Sequence, residues 1–133
     1  MSIRNWGPIR DCMRTEVVEV DGRLDVLNAL KIMKKEGTTS LIVKRRDEND
    51  EYGMVLFSDI AKKVIAQNRA PERVNVYEIM AKPVISVRPD MDIRFCARLF
   101  DDFGISHALV IENENIVGII SYYLLALEGL DLD

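Results

Sequence analysis

Apolar residues recur at Val26, Ala29, Leu30 and Met33, and again at Ile93, Cys96, Ala97 and Phe100. Each set follows i, i+3, i+4, i+7, which places one buried stripe on a helix. Asp25 and Asp92 stand just before these runs, where a carboxylate accepts the free amide hydrogens of a first turn. Gly37 and Gly104 stand just after them, where a left-handed stop is expected. Short extended runs come first: Val17-Val18-Glu19-Val20 and Val84-Ile85-Ser86-Val87. Two strands are predicted after each helix, Ser40 to Lys44 and Gly53 to Phe57, then His107 to Ile111 and Ile116 to Ile120. Glu112-Asn113-Glu114-Asn115 joins the second pair. A further helix is predicted over Asp59 to Gln67 and over Tyr122 to Leu127.

The order β-α-β-β-α therefore occurs twice, and the two passages align residue by residue. Met13 and Met80 are 67 positions apart, as are Gly37 and Gly104, Val20 and Val87, and Val43 and Val110. Gly53-Met54-Val55 matches Gly118-Ile119-Ile120 at an offset of 65, so the first copy carries two extra residues. The loop around Arg46 to Glu51 is the place for them. The expected fold is α+β: two repeats related by a pseudo-two-fold axis, their sheets packed together and their helices outside. The expected division is 1–67 for the first repeat with its N-terminal segment, 68–76 for a connector, and 77–133 for the second repeat with a C-terminal tail.

Composition narrows the function classes. With 48% hydrophobic and 30% charged residues, the chain reads as a soluble globular protein. Its apolar runs fall far short of the roughly 20 residues of a membrane helix. Met1 to Trp6 carries no apolar signal core, so a cytoplasmic location is expected. The net charge of −4 argues against a nucleic-acid partner. Lys44-Arg45-Arg46 is followed at once by Asp47-Glu48 and reads as a solvated hairpin loop. Cys12 and Cys96 have no metal-ligand spacing; Cys96 reads as a small core residue and a disulfide is not expected. The single histidine, His107, offers no evident nucleophile-base pair, and no phosphate loop or dinucleotide fingerprint is present. An enzyme is not expected.

The duplication resembles a tandem cystathionine-β-synthase (CBS) domain pair, also called a Bateman module. The likeness rests on Met80-Ala81-Lys82-Pro83-Val84-Ile85-Ser86-Val87-Arg88-Pro89-Asp90, on Phe103 to Ile111, and on Gly118-Ile119-Ile120-Ser121. The first copy closes with Gly53-Met54-Val55-Leu56-Phe57-Ser58-Asp59-Ile60, and Ala70 to Met80 resembles the family's lead-in to a second repeat. The resemblance implies a homodimerising regulatory module that senses an adenine nucleotide such as AMP, ADP or ATP and requires no cofactor. With no effector domain in the chain, its output would pass to a separate, unidentified effector protein.

The resemblance also implies a site. The family's closing motif is Gly-hydrophobic-hydrophobic-Ser/Thr-x-x-Asp, with the Asp on the ribose hydroxyls. An ionised carboxylate only accepts hydrogen bonds, so it can take both. The first copy has Asp59, preceded by Ser58, but Leu56 stands where Ser/Thr is usual. The second copy has Ser121, but Leu124 replaces the Asp. The expected nucleotide site therefore gathers around Asp59, with Val55 and Leu56 beside the adenine. Val18, Glu19, Thr39 and Ser40 would supply further walls, and His107 of the opposite repeat a phosphate contact. A weaker second pocket would involve Ser121, Ser86 and Ser106. Glu19 would repel phosphate if it pointed inward. Each residue also has a plainer role: Asp59 as a helix cap, His107 as a packing residue, Thr38 to Ser40 as a polar turn, Trp6 as cover for a core or dimer edge. A dimerisation or interaction adaptor with decayed pockets is the alternative function.

Overall fold

In a computed structural model, residues 6–130 are described. The sequence readings for Met1 to Asn5 and for the last three residues of the tail lie outside them.

The first repeat forms strand β1 (Glu19–Val20), helix α1 (Val26–Glu36), strands β2 (Ser40–Val43) and β3 (Gly53–Leu56), and helix α2 (Phe57–Ile60), which runs on as a π-helical turn (Ala61–Ile65). The second forms β4 (Ser86–Val87), α3 (Ile93–Phe103), β5 (His107–Glu112), β6 (Asn115–Ser121) and a closing π-helical turn (Leu124–Glu128). Each repeat owns a three-stranded sheet in which the short first strand runs parallel to the second and the second antiparallel to the third. The fold is mixed α+β, as the pattern of the sequence implies.

The local signals act as expected at both long helices. Asp25 accepts from the Asn28 amide at 2.9 Å and Asp92 from the Arg94 amide at 2.7 Å, each satisfying a donor that the first turn leaves open. Gly37 and Gly104 end the helices at φ of 65° and 63°, a conformation that a Cβ disfavours. Val26, Ala29 and Met33 are buried on α1, and Ile93, Cys96 and Phe100 on α3. Burial pushes the thiols of Cys12 and Cys96 up to about 11.

Three boundaries differ from the sequence reading. The opening strands are shorter, because only Glu19–Val20 and Ser86–Val87 pair with a neighbour. The β5–β6 hairpin is tighter, since Glu112 pairs with Asn115 and leaves only Asn113 and Glu114 in the turn, both at positive φ (52° and 67°). The helix predicted to begin at Asp59 begins at Phe57.

The chain separates into two compact units, 17–84 and 1–16 with 85–133. These cut across the sequence repeat: the segment leading into each repeat packs on the sheet of the other. In the second unit, Arg14 exchanges backbone hydrogen bonds with Ile119, both at 2.9 Å, and Ile9 donates to the Met91 carbonyl at 2.8 Å. In the first unit, Ala81 and Met54 exchange bonds at 2.9 and 3.0 Å, and Val76 donates to the Leu24 carbonyl at 2.8 Å. These pairs occupy matching positions of the repeat. Each core is completed by its lead-in segment: Val76 and Ile79 in one, Ile9 and Cys12 in the other.

Candidate ligand site

Five of the predicted site residues of the first repeat, Thr39, Ser40, Leu56, Ser58 and Asp59, come together at one end of its sheet. Ser40 pairs with Leu56 across β2 and β3, and the Thr39 carbonyl accepts from the Phe57 amide at 2.9 Å. Leu56 ends β3 and Ser58 and Asp59 follow in α2, so Thr39, Ser40 and the start of α2 form one local cluster. Asp59 is not the residue before the helix but its third residue. Its Oδ2 accepts from the Leu56 amide at 2.9 Å, and its Oδ1 lies 3.8 Å from the Lys63 ammonium. The side chain keeps 20% exposure, so the carboxylate is partly sheltered rather than sealed.

The other first-repeat residues take varied places. Val18 is half-buried against the core, and its carbonyl accepts from Ile42 at 2.9 Å. Glu19 is exposed on β1. Val55 has no exposed surface and its side chain belongs to the core, whereas Leu56 beside it is partly exposed. The Thr38 hydroxyl donates to the Ser40 carbonyl at 3.1 Å, a polar turn that also orders the start of β2.

The second-repeat candidates lie in the other compact unit. Ser121 is buried, and its Oγ accepts from the Leu124 amide at 3.2 Å. The Ser106 hydroxyl lies 2.8 Å from Nδ1 of His107, and the Ser106 carbonyl accepts from Tyr122. His107 itself pairs with Ser121 across β5 and β6. Ser86 is exposed on β4.

Sequence reasoning missed a cavity of about 670 Å3 at the opposite end of the first sheet, where β2 leaves Val43. Arg23, Lys44, Arg45, Arg46, Tyr77 and Lys82 are among its walls. A smaller hollow beside it includes Glu19, Leu24 and Ile32. The basic run is thus part of a concave surface, not a plain solvated loop. The signal that would have found it is the alignment of the repeats, since the second copy carries Ile111 and Glu112 where the first has Lys44 and Arg45.

The family model for the CBS domain matches residues 9–66 and 76–126. The chain belongs to the CBS-domain family. Its fold superimposes on a hexameric CBS-CP12 protein from bloom-forming cyanobacteria with a TM-score of 0.88 and 38% identity, over 92% of this chain and 70% of that one. The CBS domain pair of protein MJ0100, solved in complex with 5′-methylthioadenosine and S-adenosyl-L-methionine, matches over 88% of this chain and 90% of that one, with a TM-score of 0.72 and 24% identity. Among curated relatives, the homoserine O-acetyltransferase of Methanosalsum zhilinae is 35% identical over 113 residues, 84% of this chain but 22% of that enzyme. The chain spans less than half the length of the first curated relatives it matches. Among the described residues, no helix is long and apolar enough to cross a membrane, and no cluster of side chains could hold a metal ion.

Proposed function

We propose that this CBS pair is a regulatory module that binds an adenosine-containing nucleotide, AMP, ADP or ATP, beside Asp59. The Asp59 carboxylate carries the reading. One of its oxygens fixes the helix start and the other faces Lys63 at 3.8 Å, which leaves acceptor capacity for a ribose hydroxyl. Family membership and the adenosyl ligands of the MJ0100 pair favour the same ligand class. A ligand that prefers one arrangement of the module would shift its population and alter the surface offered to a separate effector protein. Self-association, as a homodimer or a larger assembly, is in keeping with the hexameric CBS-CP12 relative. In this reading the role is regulatory rather than catalytic and the location cytoplasmic.

One observation favours the adaptor reading. The closing motif is split, and the retained Asp59 already serves the Leu56 amide. Thermal-shift titration with AMP, ADP, ATP and S-adenosylmethionine decides between them. A ligand at a hundred times its dissociation constant stabilises by about 2.7 kcal/mol. Asp59→Asn retains an acceptor for the Leu56 amide but loses the charge, so it should abolish the shift while the protein stays folded. The absence of a shift with every ligand at millimolar concentration leaves the adaptor.

A further inference from the structure

The cavity beyond Val43 lies one strand length, roughly 10 Å, from the Asp59 cluster. Its walls carry five cations, Arg23, Lys44, Arg45, Arg46 and Lys82, against two carboxylates, Asp21 and Asp50. Asp50 braces two of the cations: Lys82 Nζ sits 2.6 Å from Oδ1, and Arg46 donates from its backbone amide at 2.9 Å and from Nε at 3.0 Å to Oδ2. Asp21 holds Arg23 in a two-pronged pair at 3.0 Å on each side. The Arg45 guanidinium lies 4.9 Å from the ring centroid of Tyr52. Among the described residues, the Lys44 ammonium has no carboxylate within salt-bridge distance. The positive charge is thus arranged around a hollow rather than scattered over a loop, and it exceeds the local negative charge. Tyr77 and Met80 complete the lining with apolar surface.

The second repeat is an internal control. At the matching positions it carries Arg10, Arg88, Asp90, Ile111 and Glu112, in which opposite charges cancel. The fold therefore does not require a cationic surface here. The two extra residues of the first copy fall in the loop that places Arg46 and Asp50 at the cavity.

We propose that this cavity is a second ligand site, distinct from the Asp59 cluster, and that it takes a small molecule bearing two or more phosphate groups. About 670 Å3 accommodates a molecule of nucleotide size. The guanidinium and ammonium groups supply charge-assisted hydrogen bonds to phosphate oxygens. The Tyr77 ring offers a wall for the rest of the ligand. The inference goes beyond the proposed nucleotide function and does not depend on it.

Isothermal titration with inorganic pyrophosphate tests it. The double variant Lys44→Ile/Arg45→Glu installs the second repeat's own residues at matching strand positions, so it should fold, with circular dichroism and melting temperature as checks. Affinity should fall about tenfold or more, the loss expected when charged hydrogen bonds to the ligand go. Arg23→Ala, on a side chain 86% exposed, should also weaken binding. Asp59→Asn should leave pyrophosphate affinity unchanged, which separates this site from the adenosine site. No binding to the native protein at millimolar pyrophosphate overturns the proposal, as does equal affinity in the double variant. Single-stranded oligonucleotide binding that pyrophosphate does not displace also overturns it, by assigning the surface to nucleic acid.

Discussion

Leu56 and Ser121 hold the same place in the two repeats, as do Asp59 and Leu124. In a complete capping box the first residue's side chain accepts from the third helical amide, and the third side chain reaches back to the first amide. Each repeat has kept one half. In the first, Asp59 reaches back to the Leu56 amide; in the second, Ser121 accepts from the Leu124 amide. A π-helical turn follows in each, closed by Ala66 onto Ala61 and by Gly129 onto Leu124, and it starts two residues earlier in the second repeat. One half of the box suffices for the backbone. The second repeat starts its helix without a carboxylate and the first with one, so Asp59 is where the repeats part chemically. The basic cavity is the second parting, at the other end of the same sheet.

The largest test of this comparison lies in the cores. Phe100 is fully buried and meets Tyr122 edge to face, with centroids 5.2 Å apart; Met33 holds the matching place in the first repeat. Phe100→Ala should cost about 3–5 kcal/mol and Met33→Ala about 2–4 kcal/mol, read from urea denaturation. The reverse order would mean that the two cores do not respond as their packing suggests.

Next come the glycines where each lead-in segment docks. A Cβ on Gly118 would lie 2.7 Å from the Arg14 carbonyl oxygen, a backbone atom. On Gly53 the nearest atom would be the Met80 sulfur at 2.5 Å, the end of a flexible side chain, with the Ala81 carbonyl at 3.3 Å. Gly118→Ala should destabilise by about 1–3 kcal/mol, and Gly53→Ala by distinctly less, because a thioether can rotate away and a strand backbone cannot. Equal melting-temperature losses would show that the two docking seams are equally rigid.

Much of this was legible from the chain. The helical stripes, both aspartate caps and both glycine stops appear where their spacing placed them, because each depends on neighbours within one turn. The doubling was legible because two segments share a register. The docking of residues 9–16 on β6 was not, since no local pattern says which copy a lead-in segment joins. The start of α2 was missed for a related reason. A reader of sequence takes Asp59 for the residue before a helix, whereas its side chain reaches backward and starts the helix at Phe57. The basic cavity escaped because Asp50, Lys82 and Tyr77 are distant in sequence and meet only after folding.

The caps give a smaller effect. Ser121→Ala should cost about 1 kcal/mol, the usual loss of a helix-capping hydroxyl. Asp59→Ala should cost a similar amount, since each removes the retained half of its box. Thermal unfolding of the two variants measures it. A much larger loss at Asp59 would mean that its pairing with Lys63 also contributes to folding.

The smallest effect is in the response to acid. In the first unit, Arg23 holds the Asp21 carboxyl down to about 2, Asn28 lowers Asp25, and Arg46 with Lys82 holds Asp50 far below the usual carboxylate range. In the second unit, Arg94 lowers Asp92. A carboxyl depressed in the folded state contributes stability above its unfolded value, and loses it as pH falls through the folded value. Stability should therefore fall as pH drops from about 4 toward 2. The first unit should feel it more, because more of these groups lie there. The effect stays small because water screens pairs as open as Asp21 with Arg23. Amide hydrogen exchange at pH 5 and pH 3 reads the two units separately. Protection in β2 and β3 should weaken before protection in β5 and β6, and simultaneous loss would mean that the acid response does not follow these carboxylates.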